Sequence, residues 1–173
     1  IMATSLQFIK SASGTDVTAL DITNCFSSAY DVYQLNVTEY INSDLSNYFW
    51  GRYLDSSGTV IDQTEYDYGY ENMRAYSSFA ENRYENDSAF YLGYGQSDSK
   101  DSTGSTNFIF NPFNSSSYTF ATHQISSYVN GYGGAGLKGI SVHKNAEQIS
   151  GIRIFAQGSD SMNSVKASIY GVK

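Results

Sequence analysis

Charge is scarce in this chain, and positive charge most of all. Ten Lys and Arg stand against seventeen Asp and Glu in 173 residues, a formal charge of −7. Recognition of a phosphate backbone needs clustered Lys and Arg, so nucleic acid is excluded as a partner. There is one cysteine, Cys25, which rules out an intramolecular disulfide. Between Asn24 and Phe26 it reads as a small buried hydrophobe rather than a reactive thiol. No run of about 18 apolar residues exists, so no membrane-spanning helix is expected. Ile1–Lys10 lacks the long apolar run of a signal peptide, which fits assembly inside a cell.

Chemistry-bearing motifs are equally sparse. The two histidines, His123 and His143, have no cysteine or second histidine at ligand spacing, so no metal site is expected. His143 follows Val142, which alternation sets on the opposite face, and is expected to point to solvent. No Gly-x-Ser-x-Gly turn gives a Ser–His–Asp combination any specificity. Asp62, Glu65, Asp67 and Glu71 are numerous enough for a glycosidase pair, but read as solvated strand-face acids. Asp98–Gly104 offers oxygens and a glycine without the spacing or terminal Glu of a calcium loop. The Asn-x-Ser/Thr triplets at Asn36, Asn86 and Asn114 read as chance in a Ser-rich chain. The expectation is a non-enzyme with no catalytic residue and no cofactor.

What is present is alternation. No segment sustains a helical apolar period, while period-two patterns recur. Tyr33, Leu35 and Val37 oppose Gln34, Asn36 and Thr38. Leu20 and Ile22 oppose Asp21 and Thr23. Ile140 and Val142 oppose Ser141 and His143. Ile152, Ile154 and Ala156 oppose Arg153 and Gln157. Val165, Ala167 and Ile169 alternate with Lys166 and Ser168. Each pattern sets one face on a core and the other toward solvent or a partner. Turn signals separate the runs: Ser13-Gly14-Thr15, Asp55-Ser-Ser-Gly58 between strands at 48–54 and 59–63, the glycine-rich 130–136, and Gly158–Asn163. The longest loop is expected at 96–106. Short helices fit only at 24–31 or 72–80. The closing stretch, 149–157 and 165–173, is apolar and alternating and should be tied into a sheet. The expected fold is all-β: one domain over residues 1–173, a single jelly-roll-like antiparallel β-sandwich of about nine or ten strands.

Aromatic residues make up 16% of the chain and are concentrated. Seven tyrosines and two phenylalanines lie between Tyr66 and Tyr94. Tyr66, Tyr68 and Tyr70 share a strand face, with Tyr76 just beyond and Trp50 in the preceding aromatic run. Large rigid rings with polar tips suit protein interfaces or stacking on sugar, and they also suit a sandwich core. Charge is uneven: residues 39–101 hold twelve acids and four bases, and residues 137–173 hold five bases and two acids. Arg153 and Lys166 are therefore candidates for pairing with acidic neighbours between subunits.

In their order and spacing, Tyr33-Gln-Leu-Asn-Val37, Arg52-Tyr-Leu-Asp-Ser-Ser-Gly58, the Tyr66–Tyr94 stretch, Phe108-Ile-Phe-Asn-Pro112, Gly151-Ile-Arg-Ile154 and Ile169-Tyr-Gly171 resemble the accessory β-sandwich proteins of bacteriophage virions. The resemblance spans nearly the whole chain from about residue 17. It implies a capsid cement or decoration protein, commonly a homotrimeric jelly roll, bound to the major capsid protein or another virion protein. That protein would be assembled in the host cytoplasm and carried in the virion. The alternative it implies is a tail or fibre module that binds a receptor or host glycan through the same tyrosines and Trp50.

Overall fold

The computed structural model describes residues 5–43, 47–95, 103–129, 132–158 and 160–173. It contains twelve strands: β1 (Leu6–Gly14), β2 (Ala19–Ile22), β3 (Val32–Asn42), β4 (Asn47–Asp55), β5 (Tyr66–Arg74), β6 (Ala80–Asp87), β7 (Phe90–Gly95), β8 (Gly104–Phe110), β9 (Thr119–Val129), β10 (Gly133–His143), β11 (Ile149–Ala156) and β12 (Met162–Val172). They form two antiparallel sheets, ordered β1-β12-β3-β8-β9-β10-β5-β6 and β2-β11-β4-β7. There is no helix among the described residues. The 24–31 segment is turns, with Asn24 at φ 51°. Residues 72–74 extend β5, where Asn72 pairs with Leu137.

Eight of these strands make the jelly roll. Taken alone, β1-β12-β3-β8 faces β2-β11-β4-β7, and successive strands cross between the two sheets, except β4 and β7, which pair within one, in the order that defines this architecture. Two further hairpins extend the first sheet. β5–β6 leaves between β4 and β7, and β9–β10 leaves between β8 and β11. These hairpins account for strands beyond the expected nine or ten. The expected strand at 59–63 does not form. The turn does: Asp55 accepts from the Ser57 and Thr59 amides, and Gly58 sits at φ 84°. β7 pairs with β4 only as far as Gly51, and on the edge left open beyond it the returning chain makes an isolated bridge, Val60 to Leu54, with the Ile61 amide donating to the Tyr53 carbonyl at 3.0 Å.

Between the sheets the alternating faces fill one core. Tyr33, Leu35, Val37, Ile152, Ile154, Val165, Ala167 and Ile169 are all buried there. The closing strand β12 lies between β1 and β3, so the apolar end of the chain is held inside the sheet. Cys25 lies in the coil after β2, buried, with its Sγ donating to the Ile22 carbonyl at 3.2 Å. Burial pushes its thiol up to about 12. Cys25 should therefore ignore an aromatic disulfide reagent in the folded chain and react at once in urea. Rapid modification of the native chain would contradict this packing.

Candidate functional site

The structure reverses the expected facing of β10. In β10, Ser141 and His143 point inward and are buried, while Ile140 stands 64% exposed on the outer face. His143 is 0% exposed, so its expected position toward solvent is corrected. Alternation defines two faces of a strand but not which one a second sheet will cover. In β9, Thr119, His123 and Ser127 turn in, and Phe120 turns out at 45% exposure. In β8, Ser105 and Asn107 turn in, and Phe108 turns out at 37%. Three adjacent strands thus bury polar side chains beside Ile109, Ala121, Ile125 and Leu137, and present Phe108, Phe120 and Ile140 among polar neighbours.

Register assembles the outer face. One cross-strand row runs Gln34, Phe108, Thr122, Ile140, Gly69, Arg83. Beside it Phe110, Phe120, Val142 and Asp67 form an apolar row with an acidic end. On the other side run Asn36, Thr106, Gln124, Lys138, Glu71 and Glu81. An open groove of about 980 Å³ follows this surface, with Phe79 on its rim. Gly69 leaves its floor bare, since a Cβ there would meet only the Asn82 carbonyl oxygen at 3.6 Å. A smaller groove of about 510 Å³ continues past Phe110, Phe120 and Val142.

Beneath the groove, four of the inward polar groups, Ser105, Asn107, His123 and Ser141, satisfy one another. His123 contacts Asn107 Oδ1 through Nδ1 at 2.9 Å and Ser141 Oγ through Nε2 at 2.8 Å. The Asn107 amide nitrogen donates to the Leu35 carbonyl and to Ser105 Oγ. Asn107 Oδ1 is therefore the acceptor, His123 Nδ1 carries the proton, and the Ser141 hydroxyl donates to Nε2. Burial alone pushes His123 down to about 4, so the ring is neutral at pH 7. The order Ser–His–Asn is that of a nucleophilic relay, but Phe90 stacks on the imidazole at 5.6 Å and Ser141 is buried. No substrate carbonyl can reach that hydroxyl, so the network is structural.

The tyrosine row shares one face, and that face is the inner one. Tyr66 and Tyr68, expected at an interface, are buried between the sheets, which corrects that expectation. The Tyr66 hydroxyl accepts from the Tyr53 amide and donates to the Ile61 carbonyl, both at 3.0 Å. Tyr68 donates to Asp87 Oδ2 at 3.0 Å. Tyr70 stacks on Tyr91 at 4.6 Å, and Trp50 meets Tyr68 and Tyr91 edge-on at 6.0 and 5.5 Å. Both are half-buried and committed to this packing. Tyr76 alone of the five is exposed, beside Tyr132. Desolvation holds the Tyr66, Tyr68 and Tyr91 phenols far above their ordinary range, so they stay neutral.

Arg153 and Lys166 stand on different sheets, and each has a partner within the chain. Arg153 grips both Asp21 oxygens at 2.6 and 2.7 Å. Lys166 meets Glu39 at 3.0 Å. Residues 98–102, with the oxygen-rich run, lie outside those described, as do Asn130 and Gly131 of the glycine-rich stretch. The residues that sequence reasoning missed are Phe108, Phe120 and Phe79. For Phe108 in β8 and Phe120 in β9 a signal was present, since each sits one position from a polar residue that turns inward, Asn107 and Thr119; Phe79 lies in the coil before β6 and had no such signal. Comparison with protein-family models finds no match, and comparison with curated proteins finds none either.

Proposed function

We propose that this chain is a non-enzymatic structural protein of a bacteriophage particle. It acts as a capsid cement or decoration protein that binds shell protein across the outer face of β8, β9 and β10. The observation that carries this reading is the outward Phe108, Phe120 and Ile140 over an inward polar layer. Contiguous exposed apolar surface flanked by polar groups is the composition of a protein interface. The most exposed of the three is aliphatic, and the tryptophan best suited to stack on sugar is packed in the inter-sheet cluster. Both points favour protein over glycan as the occupant. On this reading the partner is the major capsid protein or another virion protein, the working unit is a homotrimer, and the place is the virion. Modest contacts repeated by symmetry become strong through multivalency.

The second reading is a receptor- or glycan-binding module of a tail or fibre. What favours it is the polar row Thr106, Gln124, Lys138 and Glu71 along the same groove, whose size matches small-ligand clefts. Antibody labelling of intact virions in the electron microscope separates the two. Label over the head supports cement, label at the tail end supports the receptor module, and unlabelled particles remove both. The face itself is tested by Phe120→Glu with Ile140→Glu. These exposed changes should leave the thermal midpoint within a few degrees and weaken rebinding to stripped particles at least about tenfold. Undiminished rebinding would exclude this face.

A further inference from the structure

The geometry points to a divalent transition-metal site, of the zinc type, formed by His143, Glu65 and Glu147. It is independent of the outer-face reading. His143 ends β10 opposite Tyr66 in register, and the ladder continues through the Lys144 amide to the Glu65 carbonyl at 2.8 Å. This brings the residue before β5 against the end of β10. The turn after β10 returns Glu147, with Asn145 Nδ2 donating to Glu147 Oε1 at 3.0 Å. His143 Nε2 lies 3.1 Å from Glu65 Oε2 and 3.6 Å from Glu147 Oε1, and the three ligand atoms all lie within 4.8 Å of one another.

Two features distinguish this from an ordinary surface pair. First, an imidazole carries at most one proton at Nε2, yet two carboxylates converge on that atom. One hydrogen bond cannot serve both, and a cation between the three atoms can. Metal–nitrogen and metal–oxygen bonds of about 2.0–2.1 Å in a tetrahedron set ligand atoms about 3.3–3.4 Å apart, between the two distances found here. Second, among the described residues no hydrogen bond on the far side of the ring accounts for its position. His143 Nδ1 and Thr119 Oγ1 are both buried, and neither has a partner among the described residues. Thr119 is directly opposite His143 in the β9–β10 register. A metal on Nε2 places the proton on the buried Nδ1, on the side of the ring that faces β9. The imidazole is immobilised against Tyr66 at 5.1 Å and Tyr53 at 6.1 Å. An imidazole with two carboxylates favours zinc-type ions over calcium or magnesium, which prefer all-oxygen shells. Both glutamates are about one-third exposed, so the cluster opens to solvent and leaves the fourth position to water. The ion would tie the β10–β11 connection to the head of β5.

The test is calorimetric titration of the untagged, chelator-treated chain with Zn²⁺, in parallel with Co²⁺ absorption spectroscopy. The expected result is one ion per chain, a tetrahedral Co²⁺ spectrum, a higher thermal midpoint with Zn²⁺, and no displacement by excess Ca²⁺ or Mg²⁺. Glu65→Gln and Glu147→Gln, both at partly exposed positions that spare the core, should each weaken binding at least about tenfold. Absence of stoichiometric Zn²⁺ binding by the folded wild-type chain overturns the inference. So does wild-type affinity in the folded Glu65→Gln, Glu147→Gln double variant.

Discussion

Phe90→Ala is expected to lower the unfolding free energy by about 3–5 kcal/mol, near the upper end for loss of a buried aromatic ring. Phe90 opens β7 and is almost fully buried. Its ring lies 5.1 Å from Tyr53, 5.7 Å from Tyr66 and 5.6 Å from His123. These neighbours are flat, and Tyr66 and His123 are also hydrogen-bonded in place, so they cannot collapse into the vacated space. The β4 backbone has no side chain there, since a Cβ on Gly51 would come within 2.4 Å of the Phe90 ring. That proximity supplies a second, coupled measurement. Gly51→Ala should destabilise the native chain by about 1–3 kcal/mol through overpacking, and much less in the Phe90→Ala background. Urea unfolding with an unchanged slope measures both. A domain of this size has about 5–15 kcal/mol in total, so the single change should leave it close to unfolding. A loss below about 1 kcal/mol would show that this ring does not hold the sheets together.

The second expectation concerns acid. His123 titrates near its ordinary 6.5 in the unfolded chain and at about 4 in the folded one. Between those values the unfolded state binds the proton and the folded state does not, so stability rises with pH across this window. Read downward, stability is retained above about pH 6.5 and is lost progressively toward pH 4. Roughly 2.5 units at 1.36 kcal/mol each gives about 3 kcal/mol. Asp55, Asp67 and Glu39 are held below their usual values by hydrogen bonds and, for the last two, by lysines. Their stabilising share is lost as pH falls from their ordinary values through their lowered ones, at the acid end of the window assigned to His123 and below it. The measurement is the urea midpoint of wild type and His123→Gln from pH 7 to 4. The variant should start less stable and fall less steeply. Parallel curves would mean that His123 is not the group that takes up the proton.

How much of this was legible can be argued from particular residues. Tyr33-Gln-Leu-Asn-Val37 and Val165–Ile169 announced both their strands and their buried faces, because every residue on one face was apolar and every residue on the other polar. Ile140-Ser-Val-His143 announced a strand and misled about its facing. An aliphatic face against a serine–histidine face normally resolves with the aliphatics inside. Here Asn107, His123 and Ser141 satisfy one another across three strands, which removes the usual penalty for burying them. Ile140 is then free to face outward. The tyrosine row was correctly placed on one face, but its partner was within the chain: Trp50 and Tyr91, on the opposing sheet.

By itself the sequence determined the all-β class, the principal turns, the buried closing strand, the inert cysteine and the lack of a basic surface. Those properties follow from period-two alternation, local turn chemistry and net charge, none of which needs a distant partner. Only the tertiary structure decided that β5–β6 and β9–β10 extend the first sheet, which faces of β8, β9 and β10 lie inside, and that Glu65 meets His143 and Glu147. Those outcomes depend on which strand edges remain open for pairing and which face the second sheet covers. Both are set by contacts between residues scores of positions apart, where local pattern carries no information.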